Sequence, residues 1–122
     1  MNEQLANLLY VFERGPYSNA SGAEGLEAAL IGAAFEQKVS LLFVHDGVFQ
    51  LKAGQSAVES ELKQYTKTFA AFEDFGVSDV FVHDFSLVAR GLSSEDLQIK
   101  TSVVTAEQIA QLIQQQQKVF TF

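Results

Sequence analysis

The sequence contains no cysteine. That excludes disulfides, thiolate-bound metal, a thiol nucleophile and any persulfide held on this chain, because each needs a sulfur that can become a thiolate. Basic charge is also scarce: eight Lys and Arg face fifteen Asp and Glu, for a net charge of −7. The cations stand singly, at Arg14, Lys38, Lys52, Lys63, Lys67, Arg90, Lys100 and Lys118. Nucleic-acid binding runs on a clustered basic surface that neutralises phosphates, so direct contact with naked RNA or DNA is not expected. Attraction to an anionic membrane is not expected either, on the same ground. No apolar run reaches the roughly 18 residues that a membrane-spanning helix needs. The start, Met1-Asn2-Glu3-Gln4, lacks the positive charge of a signal peptide. A cytoplasmic location is the expectation. Proline is limited to Pro16, and no linker or internal repeat divides the chain, so residues 1–122 read as a single domain.

What is present is a globular composition, 48% hydrophobic and 19% charged. Short apolar runs alternate with longer amphipathic stretches. Leu5 to Phe12, Val39 to His45 and Asp79 to His83 read as strands. These runs are continuous rather than alternating, which is the pattern of strands covered on both faces in a parallel sheet. A weaker strand is expected near Leu97 to Thr101, and Lys118 to Phe122 suits a final one. Leu26, Ala29, Leu30, Ala33 and Ala34 follow helical spacing; so do Leu62, Tyr65, Phe69 and Phe72, and then Ile109, Leu112 and Ile113. Three capping boxes stand before these stripes, at Ser21-x-x-Glu24, Ser56-x-x-Glu59 and Thr105-x-x-Gln108. The fold class is therefore α/β: three α/β/α layers around a mostly parallel sheet of about five strands.

Candidate chemistry is sparse. The loop Glu13 to Gly22 joins a strand to a helix, but it has neither a Gly-Lys-Ser/Thr step nor a G-x-G-x-x-G motif. Glu24 also places negative charge in the first helical turn, where a phosphate needs positive potential. Two His-Asp steps, His45-Asp46 and His83-Asp84, fall at predicted strand ends, the edge where open α/β sheets collect ligands. Two His and two Asp could form a metal site or an acid–base pair. The simpler assignment makes Asp46-Gly47 a turn and Asp84 the N-cap of a short helix through Ala89. Most of the eleven phenylalanines read as core. Phe120 is expected in the core as well, whereas Phe49, beside a glycine turn, is open to core or to a protein interface.

Several segments resemble a known family. Ser21 to Leu30 (SGAEGLEAAL), Asp46 to Leu51 (DGVFQL) followed by Gly54-Gln55, Phe75-Gly76-Val77, Ser86 to Leu92 (SLVARGL) and Val119 to Phe122 are similar to motifs of the DsrE/DsrF/DsrH sulfur-relay family, in its TusC-like (DsrF-like) branch. The likeness runs from Leu8 to Phe122. It implies a cytoplasmic complex with TusB-like and TusD-like subunits, a dimer of heterotrimers. That complex takes persulfide sulfur from a desulfurase and TusA and passes it through TusE to 2-thiolation of the tRNA wobble uridine. In the family the sulfur rides on a cysteine of the TusD-like subunit, and alignment on the Arg-Gly step puts His83 at or beside that place. Asp84-Phe85 stands where the family has small residues. The resemblance implies a non-catalytic structural subunit with no cofactor and no metal. Asp46, Gly47, Val48, Phe49, His83 and Arg90 are its candidates for an interface or crevice. The competing reading is a small-molecule- or metal-binding enzyme that uses His45, Asp46, His83 and Asp84.

Overall fold

The structure, a computed structural model, describes residues 7–15, 21–35, 38–52, 77, 79–97 and 99–122, with the backbone alone at 21–23. Its strands are β1 (Asn7–Phe12), β2 (Lys38–Phe43), β3 (Asp79–His83), β4 (Ser102–Val104) and β5 (Lys118–Thr121). The helices are α1 (Ser21–Ala34), α2 (Asp84–Ala89) and α3 (Ala106–Gln114), and two 3-10 segments run over His45–Leu51 and Ser94–Asp96. The five strands form one sheet in the order β4-β3-β2-β1-β5, with every neighbouring pair parallel.

The continuous apolar runs are explained by burial on both faces. Tyr10, Phe12, Val39, Leu41, Phe43 and Val82 point to one face and meet Leu26 and Ala29 of α1 and Leu87 of α2. Leu9, Val11, Leu42 and Val104 point to the other, where Ile109 and Leu112 of α3 cover them. Three layers result, as the sequence pattern predicts. Phe12 stacks on Phe43 with ring centroids 4.8 Å apart, and Phe122 closes the same aromatic cluster at 5.8 Å from Phe12.

Local chemistry sets the helix ends. Thr105 caps α3: its hydroxyl accepts from the Gln108 N–H at 3.1 Å, and the Gln108 side chain accepts from the Thr105 N–H at 2.8 Å. α2 ends at Gly91, whose φ of 70° lies in the left-handed region that glycine adopts without strain. There the Leu92 N–H donates to the Leu87 carbonyl and the Gly91 N–H to the Val88 carbonyl, the paired bonds of a Schellman turn.

Several expectations are corrected. The fourth strand lies at Ser102–Val104, not at Leu97 to Thr101. Ser93 and Asp96 close a reciprocal box that turns the chain, and Leu97 makes only an isolated antiparallel bridge to Lys52. β2 ends at Phe43, two residues short of His45. Asp84 is the first helical residue of α2 rather than its N-cap; that position falls to His83, still in extended conformation, and Asp84 accepts from its neighbour's N–H, that of Phe85, at 2.5 Å. Phe120 is 37% exposed, because β5 is an edge strand; its ring stacks on Tyr10 at 5.1 Å. The Ser21 capping box, the helix through Leu62 to Phe72 with its Ser56 box, Gly54-Gln55 and Phe75-Gly76 lie outside the described residues and side chains.

Candidate functional site: a polar corner at the exits of β2 and β3

The two His-Asp steps are brought together at the C-terminal edge of the sheet. β2 and β3 are parallel neighbours, so their exits lie side by side. After β2 the chain enters its 3-10 segment through His45, which has a φ of 50°, a left-handed conformation costly for a residue with a Cβ. The bend folds the segment back against the exit of β1. The Val44 N–H donates to the Phe12 carbonyl at 3.1 Å, and the Gly47 N–H donates to the Glu13 carbonyl at 3.1 Å. A Cβ on Gly47 would run into the Phe12 carbonyl, so glycine is required here for close backbone approach rather than for a turn.

Ser86, in the first turn of α2, joins these exits. It is 1% exposed. Its Oγ accepts from the His45 N–H at 2.8 Å and lies 2.7 Å from Nδ1 of His83. One helical turn later, Arg90 donates from Nε to Asp46 Oδ1 at 2.9 Å and from Nη1 to the Ser86 carbonyl at 3.2 Å. His83 Nε2 faces Asp84 Oδ1 at 3.7 Å, too far for a hydrogen bond. The apolar rim is on α2 as well: Phe85 is 68% and Val88 71% exposed, and the Phe85 ring lies 6.3 Å from the His83 ring.

Asp46, His83 and Arg90 are thus parts of one corner. Val48 is fully buried in the chain's own core and Gly47 is buried beneath the β1 exit, so neither offers a surface; Phe49 is half-buried. Sequence reasoning passed over Ser86. Its signal was available in the spacing, three residues after His83 and four before Arg90, which puts Ser86 and Arg90 on one face of α2. Among the described residues no group of three or more His, Cys, Asp or Glu could hold a metal ion. No helix among them is long and apolar enough to cross a membrane. A separate crevice of about 320 Å³ lies at the exits of β1 and β5, lined by Glu13, Arg14, Glu24, Thr121 and Phe122. Its two carboxylates make it a poor cradle for phosphate.

An all-parallel α/β/α sheet with a serine-centred corner at its C-terminal edge defines a small open-sheet domain of the kind that carries its function at strand exits. The family model for DsrE/DsrF-like proteins matches residues 6–122, and the chain belongs to that family. It is 36% identical to "Protein TusC homolog" of Vibrio vulnificus (strain CMCP6), over 97% of this chain and all of that protein. It is 39% identical to "Intracellular sulfur oxidation protein DsrF" of Allochromatium vinosum, over 80% of this chain and 71% of that one. In fold it is similar to the ychN protein of E. coli, with a TM-score of 0.80 and 22% identity over 97% of this chain and all of that structure.

Proposed function

We propose that this chain is a non-catalytic subunit of a sulfur-relay complex, supporting the transfer of persulfide sulfur toward 2-thiolation of the tRNA wobble uridine. The observation that carries the reading is the lack of any cysteine in a chain so similar, over its full length, to a TusC homologue. Sulfane sulfur travels as a persulfide formed by a thiolate, so a member of a sulfur-relay family without a thiol must act beside one that has it. The partners in this reading are TusB-like and TusD-like subunits, with TusA and TusE as donor and acceptor, in the cytoplasm. The full-length match to a TusC homologue favours tRNA thiolation over the sulfur oxidation named for the DsrF relative, of which the chain covers 71%.

The test is co-expression of the tagged chain with untagged TusB- and TusD-like proteins, followed by intact-mass analysis of each subunit after loading with a sulfur donor. Co-purification of both partners is expected, with added sulfur on a partner and none on this chain. A monodisperse monomer that ignores both partners sinks the proposal, as does a gain of one sulfur mass on this chain. His83→Ala is expected to leave thiolation in cells largely intact, because imidazole cannot carry sulfane sulfur. Collapse of thiolation with the complex still assembled would show that the subunit is more than structural.

A further inference from the structure

The hydroxyl of Ser86 settles the protonation pattern of the corner. A serine hydroxyl has one proton and two lone pairs. One lone pair accepts from the His45 N–H at 2.8 Å. If Nδ1 of His83, 2.7 Å away, carried a proton, it would take the second lone pair and leave the Ser86 proton to find another acceptor. Ser86 is 1% exposed, and an unmatched buried donor is costly. A helical serine can turn its proton to the carbonyls of the preceding turn. Here neither the His83 nor the Val82 carbonyl, three and four positions back, accepts from the Ser86 hydroxyl, whose neighbours are the His45 N–H and His83 Nδ1. The arrangement that matches every group has the Ser86 hydroxyl donating to a bare Nδ1, which places the proton of the neutral ring on Nε2. Nε2 is on the accessible side: it faces Asp84, whose side chain is 44% exposed against 16% for His83, and at 3.7 Å the carboxylate does not bond to it.

We propose that Ser86 is a positioning residue that locks His83 as its Nε2–H tautomer, so that the corner presents a hydrogen-bond donor, and no proton acceptor, at its accessible nitrogen. The functional consequence rests on the relay reading. A cysteine brought to this corner by another subunit meets a donor rather than a base, and its thiol must lose its proton to groups outside this corner.

The tautomer is read on the full chain by nitrogen NMR of 15N-labelled histidine in alkaline buffer, where imidazole is neutral. His45, an exposed residue, serves as the reference in the same spectrum. His83 is expected to show a protonated Nε2 and a bare Nδ1 more completely than His45. Ser86→Thr keeps that pattern, and Ser86→Ala relaxes it to that of His45. An Nδ1–H ring in the natural chain overturns the inference, as does a His83 ring no more biased than His45, or a pattern unchanged in Ser86→Ala. The first two outcomes are decided even if Ser86→Ala fails to fold. The second arm is the pH profile of sulfur transfer in the reconstituted complex with His83→Asn, whose side-chain oxygen can accept from Ser86 as Nδ1 does. An unchanged inflection is expected; a displaced one means that the imidazole does take a proton. Failure of the chain to join any complex overturns the relay reading instead and leaves the tautomer result standing.

Discussion

At the scale of single residues, His45 and Gly47 sit two positions apart and make opposite demands. His45 occupies left-handed backbone with a Cβ, which costs about 1–2 kcal/mol. His45→Gly removes that cost, offset by the roughly 0.5–1 kcal/mol of extra freedom that glycine gives the unfolded chain. A small net gain of roughly 0.5 kcal/mol is expected in urea denaturation. Gly47 is the reverse case. Its missing Cβ is the space in which the Phe12 carbonyl lies, and backbone stands on both sides of the contact. Gly47→Ala is expected to lose about 1–3 kcal/mol, the usual range for forced overpacking, measured in the same way. An unaltered denaturation midpoint in Gly47→Ala would show that the two strand exits can separate at little cost.

At the scale of elements, α3 is the helix most clearly specified by its own sequence. Both halves of its capping box form, and Ile109 and Leu112 lie against the sheet. Thr105→Ala is expected to cost about 1 kcal/mol, seen as a lower thermal midpoint, and Thr105→Asp to restore most of the loss. The same locality explains what could be read without coordinates. Strands β1, β2 and β3 show in the sequence because cover on two faces leaves a run of apolar residues, whereas β5, exposed along its length, shows only by its β-branched and aromatic residues. β4 does not, because only Val104 of its three residues is buried. The start of α2 is displaced by one residue from the expected cap, since the extended strand persists through His83. The polar corner was legible only as separate pieces. Its bonds join residues 41 and 44 positions apart, Ser86 to His45 and Arg90 to Asp46. No local pattern reports that β2 and β3 will be neighbours.

At the scale of the whole molecule, the most exposed large apolar side chains among the described residues stand on or at the end of helices rather than at the glycine turn. Phe85 and Val88 project from α2, while Ile31 and Phe35 project at the end of α1. Stable hetero-complexes bury large and relatively apolar surfaces. On the relay reading, Phe85→Ser with Val88→Ser is expected to weaken co-purification with the partner subunits while leaving the far-ultraviolet spectrum of the isolated chain unchanged. Full retention of the partners at lowered concentration would place their contact away from α2. The charge balance opposes self-association: a net charge of −7 makes copies of the lone chain repel one another, and added salt is expected to promote their association.

The pairing of β5 with β1 also dictates an order of events during synthesis. Leu8 to Val11 line up with Lys118 to Thr121, and the bond from the Asn7 N–H to the Gln117 side chain spans 110 residues. β2 can occupy one side of β1 soon after both leave the ribosome. The other side stays open until those 110 residues have been added, which at about 5–20 residues per second is on the order of ten seconds. For that interval the nascent protein carries a bare strand edge flanked by Tyr10 and Phe12, the kind of surface that recruits chaperones or stray strands. The final pairing covers it, when the Glu13 N–H reaches the Phe122 carbonyl and the Phe122 N–H reaches the Val11 carbonyl, each at 2.8 Å.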